Sequence, residues 1–221
     1  MQVKPTPPRL SFSGLYIILD PSVCSTCPLS EALAQSAQAG ARIFQYRNKT
    51  ASMKEAYGEA LSLRKVAAEL GAWFIVNDRC DLALALDADG VHLGQEDMPY
   101  TYARKVMGPD KLIGLSTHNA KQVTEAEGLK PDYIGFGPIF TPGSKQDHDP
   151  IVGIEGLRTV RALTKLPIFA IGGITAAHVG VVMRAGANGV AVISAILKAP
   201  DITQAVKDFL NRMPAPASPA S

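Results

Sequence analysis

The fold is decided by residues 74–97, which read FIVNDRCDLALALDADGVHLGQED. The pattern predicts two buried strands joined by a short helix, with Asn77 and Asp78 after the first strand and Asp97 after the second. Strands of a parallel sheet are buried on both faces, whereas the loops that follow them carry binding and catalytic residues. If both strands belong to one parallel sheet, Asp78 and Asp97 open onto the same face.

The same strand-helix unit recurs along the chain. A short run rich in Ile, Val, Leu or Phe is followed by a polar turn and a helical pattern that ends at Gly or Pro, as at Gly40 and Gly71. The predicted strands are LYIILD from Leu15, RIFQYRN from Arg42, WFIVND from Trp73, GVHLG from Gly90, KLIGLST from Lys111, YIGFGPIF from Tyr133, PIFAIGGI from Pro167 and GVAVIS from Gly189. Eight such units predict an α/β fold, a (β/α)8 TIM barrel.

An open, doubly wound sheet is the alternative architecture. It usually has fewer strands and a glycine-rich turn after the first, whereas here the first strand ends in Asp20-Pro21 with no G-x-G-x-x-G motif. The barrel is therefore favoured, as a single domain over residues 14–213. Residues 1–13 are predicted to form an N-terminal extension and residues 214–221 a disordered tail of Pro, Ala and Ser.

Composition narrows the classes of partner. Hydrophobic residues make up 47% of the chain and the net charge is +2, which is too balanced for a surface that binds nucleic acid or a membrane. The sequence shows neither the apolar core of a signal peptide nor a run of the ~18 apolar residues that a membrane span needs. A cytoplasmic protein acting on small molecules is predicted, and homo-oligomerisation is left open.

The cysteines suggest no disulfide framework. There are three, and Cys24 and Cys27 form a C-x-x-C motif in a loop rich in Ser and Pro. A metal or redox site would need two further ligands or a thioredoxin-like helix start. We interpret the pair as incidental loop cysteines.

Polar and basic side chains alternate with aromatic ones along the second predicted strand. Gln45, Arg47 and Lys49 occupy positions i, i+2 and i+4, so they point to one face. Clustered cations at a barrel mouth need an anion, and the arginine fork suits phosphate oxygens. The alternative is that Arg47 and Lys49 pair with carboxylates on a neighbouring strand.

The acidic pair predicts a site for a hard cation. Mg²⁺ typically takes one or two carboxylates and completes its coordination with water and phosphate oxygens, which would suit Asp78 and Asp97. As an alternative, Asp78 could be the N-cap of the helix DLALAL.

The last two strands end in small residues. Gly172 and Gly173 permit close approach to a ligand, and Ile193 and Ser194 precede a short helix, so both ends could offer backbone N–H groups to a phosphate. His92 and His118 are candidate general bases, although a structural role is favoured for both.

Several motifs together resemble those of the thiamine phosphate synthase family, in order and at family spacing, from about Leu15 to Leu210. They are QYRNK, VNDRCDLALALDADGVHLGQED, IGLSTHNAKQV, DYIGFGPIF, FAIGGI and GVAVISAI. The resemblance implies a transferase of thiamine biosynthesis that uses Mg²⁺. It condenses 4-amino-2-methyl-5-(diphosphooxymethyl)pyrimidine with a thiazole ethyl phosphate and releases pyrophosphate.

The resemblance also implies roles for individual residues. The pyrimidine diphosphate would be bound by Gln45, Arg47, Lys49, Asn77, Ser116 and Lys145, with Arg47 and Lys145 stabilising the leaving diphosphate. Mg²⁺ would be held by Asp78 and Asp97, and the thiazole phosphate by Gly173, Ile193 and Ser194. No nucleophile or general base is implied.

The loop after GPIF departs from the family pattern Pro-Thr-x-Thr-Lys, because residues 141–145 read TPGSK. Ser144 can replace one threonine hydroxyl and Thr141 can supply the other from one position earlier, while Pro142 stands at the usual threonine. The polar, glycine-containing segment that follows is typical of a lid.

Three functions remain open from the sequence. The first is the synthase, and the second is a related thiazole tautomerase, which does not need the diphosphate-binding residues. The third is a non-catalytic barrel that senses a phosphorylated ligand. The joint presence of Arg47, Lys49, Asp78 and Asp97 favours the synthase.

Overall fold

The computed structural model describes residues 12–25, 27–141 and 150–214. Eight parallel strands close into a barrel in chain order, each hydrogen-bonded to the next and the last to the first. The strands are β1 (Gly14–Leu19), β2 (Ile43–Tyr46), β3 (Trp73–Asn77), β4 (Gly90–Leu93), β5 (Leu112–Thr117), β6 (Tyr133–Phe136), β7 (Ile168–Ile171) and β8 (Gly189–Val192). The predicted TIM barrel is confirmed.

Helices connect the strands and cover the outside of the barrel. They are α1 (Leu29–Gln38), α2 (Met53–Glu69), α3 (Cys80–Ala85), α4 (Tyr100–Met107), α5 (Ala120–Leu129), α6 (Gly153–Arg161), α7 (Val179–Arg184), α8 (Ser194–Leu197) and α9 (Ile202–Leu210). The predicted stops at Gly40 and Gly71 both have positive φ, at 116° and 64°. Within the described ranges, no helix is both long and apolar enough to cross a membrane.

The strands carry apolar side chains on both faces, because a hydrophobic core lies on each side of the sheet. One set of side chains packs between the sheet and the helices. The other fills the barrel interior and consists of Phe12, Tyr16, Ile18, Ile43, Ile75, Leu112, Tyr133, Phe169 and Ala191. The hydrophobic runs of the sequence are thereby explained as strands buried on both faces.

Phe12 belongs to the interior core. Its side chain is 6% exposed, and its ring centroid lies 4.9 Å from that of Tyr133, 5.3 Å from that of Phe169 and 6.0 Å from that of Trp73. The packed barrel therefore extends two residues before the predicted start at residue 14. Residues 1–11 and 215–221, which include most of the predicted extension and tail, lie outside the described residues.

A repeated polar contact ties neighbouring strands at their N-terminal ends. The residue just before each of β4, β6 and β8 accepts a hydrogen bond from a backbone N–H at the start of the preceding strand, and an arginine contacts its side chain. The acceptors and donors are Asp89 with Phe74 at 2.7 Å, Asp132 with Ile113 at 2.8 Å, and Asn188 with Ile168 at 2.9 Å. The arginines are Arg64, Arg104 and Arg161 respectively.

Candidate active site

A cavity of about 960 Å³ opens at the C-terminal ends of the strands. Side chains or turns from all eight strands line it, and its volume lies within the range of small-molecule sites. Every predicted site residue in the described part of the chain lines it: Gln45, Arg47, Lys49, Asn77, Asp78, Asp97, Ser116, Thr141, Gly173, Ile193 and Ser194. Ser144 and Lys145, with Pro142, lie outside the described residues.

Both cations after β2 are paired with carboxylates from the neighbouring strand ends. Arg47 forms an ion pair with Asp20, which follows β1, and Lys49 forms one with Asp78, which follows β3. The alternative pairing proposed from the sequence is thus present, although both cations also line the cavity. Asp20 is 3% exposed and was not predicted as a site residue; its position at a strand end, like that of Asp78, is the signal that could have identified it.

Strand alternation explains only part of the basic cluster. β2 ends at Tyr46, earlier than predicted, although the Arg47 N–H still donates to Leu19 O at 2.9 Å. Gln45 therefore points into the barrel as expected, whereas Lys49 lies in the following loop, with its side chain 52% exposed. The loop is held by Glu59 on α2.

Glu59 fixes the loop through two donors that flank Arg47. Its Oε2 accepts from Tyr46 Oη at 2.7 Å and from Asn48 Nδ2 at 3.2 Å. Asn48 Oδ1 in turn accepts from the N–H groups of Thr50 and Ala51. The backbone that carries Arg47 is therefore anchored on both sides.

Asp78 adopts a left-handed backbone conformation, with φ of 64°. Its N–H donates to His92 O at 2.8 Å, and it precedes Arg79, which is the N-cap of α3. The N-cap interpretation of Asp78 is therefore wrong. A left-handed non-glycine residue costs about 1–2 kcal/mol, and such conformations concentrate at functional sites.

Asp97 lies beside Asp78. Its Oδ2 accepts a hydrogen bond from the Gly94 N–H at 2.6 Å. Burial raises the pKa of the Asp97 carboxyl, and the neighbouring Asp78 carboxylate raises it further, whereas the Gly94 N–H and Lys49 oppose this rise. A cation bound beside Asp97 would oppose both effects that raise its pKa.

The two histidines are held by hydrogen bonds. Burial lowers the pKa of His92 to about 4, and its Nδ1 and Nε2 lie 3.1 Å from Tyr133 Oη and 3.0 Å from Ser116 Oγ. His118 Nδ1 donates to Gly137 O at 2.8 Å. These contacts favour the structural interpretation over a general base, although both residues line the cavity.

The turns after β7 and β8 form the opposite wall. Gly173 has φ of 60°, and a Cβ there would lie 2.5 Å from Thr141 O, so no other side chain fits. α8 begins at Ser194, with Ile193 as its N-cap, where the predicted eighth strand was expected to continue. Lys198, which was not predicted, adds a cation to this wall.

The cysteine pair shows no sign of a metal site. Cys24 Sγ donates to Cys27 O at 3.2 Å, and the two thiols are not joined by a disulfide. In the ranges that the structure describes, no three His, Cys, Asp or Glu residues are grouped so as to hold a metal. The interpretation of these residues as loop cysteines stays a prediction.

Comparison with known proteins identifies the family. The profile described as thiamine monophosphate synthase matches residues 15–196, which is most of the chain. The chain belongs to the thiamine monophosphate synthase family. The resemblance read from the motifs is thereby confirmed.

Individual members of the thiamine monophosphate synthase family are similar in sequence to this chain over nearly its full length. The thiamine-phosphate synthase of Chloroflexus aurantiacus is 44% identical over 88% of this chain and 90% of its own, and that of Clostridium novyi is 41% identical over 89% and 97%. Among solved structures, thiamine phosphate pyrophosphorylase from Pyrococcus furiosus is 36% identical with a TM-score of 0.83, over 91% of this chain and 96% of its own.

Proposed function

We propose that this chain is a thiamine-phosphate synthase, which joins a 4-amino-2-methylpyrimidine carried as its diphosphate to a thiazole ethyl phosphate. The observation that carries the proposal is the meeting of Arg47, Lys49, Asp78 and Asp97 at one rim of the cavity. Cations and a carboxylate pair at one point suit a diphosphate with its divalent counterion. Family membership supports the same reaction.

In this function, the diphosphate binds the two cations that follow β2. Arg47 is held toward the cavity by Asp20, and its loop is anchored through Glu59, so the guanidinium is preorganised. Lys49 pairs with Asp78 at the rim where the leaving group would lie, so its ammonium group could also bind a phosphate oxygen there. Asn77, Ser116 and, from the 142–149 segment, Lys145 complete the diphosphate contacts.

Asp78 and Asp97 are the proposed Mg²⁺ ligands. Burial first, and Asp78 second, raise the pKa of Asp97, and a divalent cation held by the two carboxylates would oppose that rise. When bound, Mg²⁺ would neutralise charge on the departing diphosphate. The Gly94 N–H orients Asp97, and the left-handed turn at Asp78 brings the second carboxylate to it.

The bond changes need no protein nucleophile. The C–O bond from the pyrimidine methylene to the diphosphate breaks, the amino group stabilises the resulting cation, and the thiazole nitrogen supplies the electron pair of the new C–N bond. The protein binds and orients both partners and stabilises the leaving anion, with Arg47 and Lys145 in that role. The second phosphate is held by Gly173, Ile193 and Ser194, with Thr141 and Ser144 contributing hydroxyl groups.

The two other functions predict different outcomes. A thiazole tautomerase would have no use for Asp78, Asp97 and the paired cations, which together occupy one side of the cavity. A sensor would bind both substrates without turnover. The cytoplasmic location and the absence of nucleic-acid and membrane partners stay predictions, as does any self-association.

Purified protein with Mg²⁺ should convert the two substrates to thiamine phosphate and pyrophosphate in equal amounts, measured by chromatography. Chelation with EDTA should abolish the conversion and added Mg²⁺ should restore it. Tight binding of both substrates without product would support the sensor, and turnover that is indifferent to EDTA would contradict the metal site.

A further inference from the structure

Five polar side chains form one continuous hydrogen-bonded chain across the cavity floor. They come from five different strands, and all of them line the cavity. The contacts in order are Gln45 Nε2 to Tyr16 Oη at 2.8 Å, Tyr16 Oη to Tyr133 Oη at 2.9 Å, Tyr133 Oη to His92 Nδ1 at 3.1 Å, and His92 Nε2 to Ser116 Oγ at 3.0 Å. We call this set the floor chain.

The floor chain is shielded from water. Gln45, Tyr16, Tyr133 and His92 are exposed by only 2%, 1%, 0% and 8%. Buried polar hydrogens are expected to find acceptors, because an unsatisfied buried donor costs more free energy than a hydrogen bond contributes on average. The positions of the hydrogens along the chain are therefore determined jointly.

The direction in which hydrogens are donated along the floor chain follows from Gln45, its first residue. The Gln45 Nε2 group can only donate, so Tyr16 Oη accepts from it and directs its own hydrogen to Tyr133. Tyr133 then donates to His92 Nδ1, which leaves the His92 hydrogen on Nε2, donating to Ser116 Oγ. If Tyr133 donated to Tyr16 instead, the Tyr16 hydrogen would have no acceptor among the described residues.

Each end of the floor chain then presents polar groups of fixed orientation to the cavity. The hydrogen bond from Nε2 to Tyr16 fixes the orientation of the Gln45 amide, so Oε1 is the acceptor that this end offers, with the second Nε2 hydrogen as a donor beside it. Ser116 accepts from His92, so its own hydroxyl hydrogen is available as a donor. An exocyclic amine complements the first group, and a ring nitrogen or a diphosphate oxygen complements the second.

We propose that Tyr16, Tyr133 and His92 are specificity-determining positioning residues, which hold Gln45 as an acceptor and Ser116 as a donor so that the cavity selects a 4-aminopyrimidine over its 4-oxo analogue. The inference rests on the proposed function. The 4-oxo group would bring acceptor lone pairs against Gln45 Oε1. To accommodate it, the amide must rotate, and all four hydrogen bonds of the floor chain must then reverse together.

The test compares the dissociation constants of the two pyrimidine diphosphates by calorimetry without thiazole phosphate, so that intrinsic reactivity does not enter. For wild-type protein, the amino compound should bind far more tightly. In Tyr16→Phe, the ratio of the two constants should fall at least tenfold, since the amide loses its anchor. In Tyr133→Phe it should fall similarly, even though the lost hydroxyl lies between Tyr16 and His92 and not beside Gln45.

Tyr46→Phe is the matched control. It removes another buried phenol hydroxyl, one that bonds to Glu59 outside the floor chain, and it should leave the ratio unchanged. A Tyr133→Phe protein with the wild-type ratio, or equal weakening of both ligands, would overturn the proposal. Failure of the proposed function would appear differently, as absence of turnover with the amino substrate in wild-type protein.

A second measurement does not depend on ligands. Histidine ¹⁵N spectra should show His92 as the neutral tautomer with hydrogen on Nε2, its signal being assigned by its loss in His92→Gln among the four histidines of the chain. In Tyr133→Phe, the tautomer balance should shift. Hydrogen on Nδ1 in the wild-type protein would contradict the direction of the floor chain.

Discussion

At the scale of single residues, strand-end position predicted candidate residues that the structure brings to one cavity. Asp78 and Asp97 could be predicted because carboxylates follow apolar runs, and Gln45 because alternation directs it into the barrel. Asp20 and the hydroxyl groups of Tyr16 and Tyr133 were not predicted. Their roles depend on partners brought from other strands, as in the contact between Tyr16 and Tyr133, which are 117 residues apart in sequence.

The acidic pair makes stability depend on pH in the metal-free protein. Burial first, and Asp78 second, raise the folded-state pKa of Asp97 above its unfolded value, so stability falls as pH rises between those two values. Asp97→Asn removes this effect. We expect the variant to melt at a higher temperature than wild type at about pH 7.5 in EDTA, with the difference vanishing toward about pH 4.

The measurement is thermal unfolding across that pH range. Glu96→Gln is the control, because Glu96 is next to Asp97 in sequence and also lines the cavity. Glu96→Gln should track wild type. A lower melting temperature for Asp97→Asn at neutral pH would mean that the Asp97 charge supports the fold.

At the scale of elements, the strands could be predicted but their ends could not. β2 was expected to reach Asn48 and β6 to reach Phe140, whereas they end at Tyr46 and Phe136. A strand ends where its ladder partners end, and the apolar content of one segment carries no information about its neighbours. Two further sets of contacts could not be predicted from any single segment, because each joins different elements. They are the contacts that anchor the β2–α2 loop and those that join the starts of neighbouring strands.

The loop anchor predicts a selective kinetic defect. Glu59→Ala removes the acceptor shared by Tyr46 and Asn48, so the backbone around Arg47 gains freedom. We expect KM for the pyrimidine diphosphate to rise roughly tenfold, because small displacements of positioning groups are costly. KM for the thiazole phosphate should stay nearly constant in steady-state assays.

Glu69→Ala is the control for that experiment, since Glu69 is an exposed glutamate on the same helix. It should behave as wild type in both constants. An equal rise in both KM values for Glu59→Ala would indicate general loosening of the barrel instead of a positioned loop.

The strand-start contacts predict which substitutions the fold tolerates. Asn188 before β8 accepts the same kind of backbone hydrogen bond that Asp89 accepts before β4. An amide oxygen can therefore replace a carboxylate oxygen at this position. Burial raises the pKa of Asp89, so its ionised form lowers the free energy of unfolding, and the neutral amide of Asp89→Asn would not have this effect. Asp89→Asn should unfold in urea at or above the wild-type midpoint, whereas Asp89→Ala should lose about 1–3 kcal/mol by orphaning the Phe74 N–H. Equal destabilisation by both would show that the ion pair with Arg64 dominates.

At the scale of the whole molecule, the closed barrel could be predicted from the sequence because the strand-helix unit recurs eight times. Closure brings the ends of all eight strands to one rim, so residues as distant as Gln45 and Ser194 line one cavity. Phe12 escaped prediction because one aromatic residue before the first strand has no periodic partner, and only the closed barrel gives it rings to pack against.

The central claim is that the acidic pair and the paired cations act together on a diphosphate. Calorimetry of pyrophosphate binding to wild type, Asp78→Asn and Asp97→Asn, each with Mg²⁺ and with EDTA, tests it most directly. Wild type should bind pyrophosphate at least tenfold more tightly with Mg²⁺, and both variants should lose that gain. Binding that is equally strong with EDTA, or a gain that survives in both variants, would contradict the account.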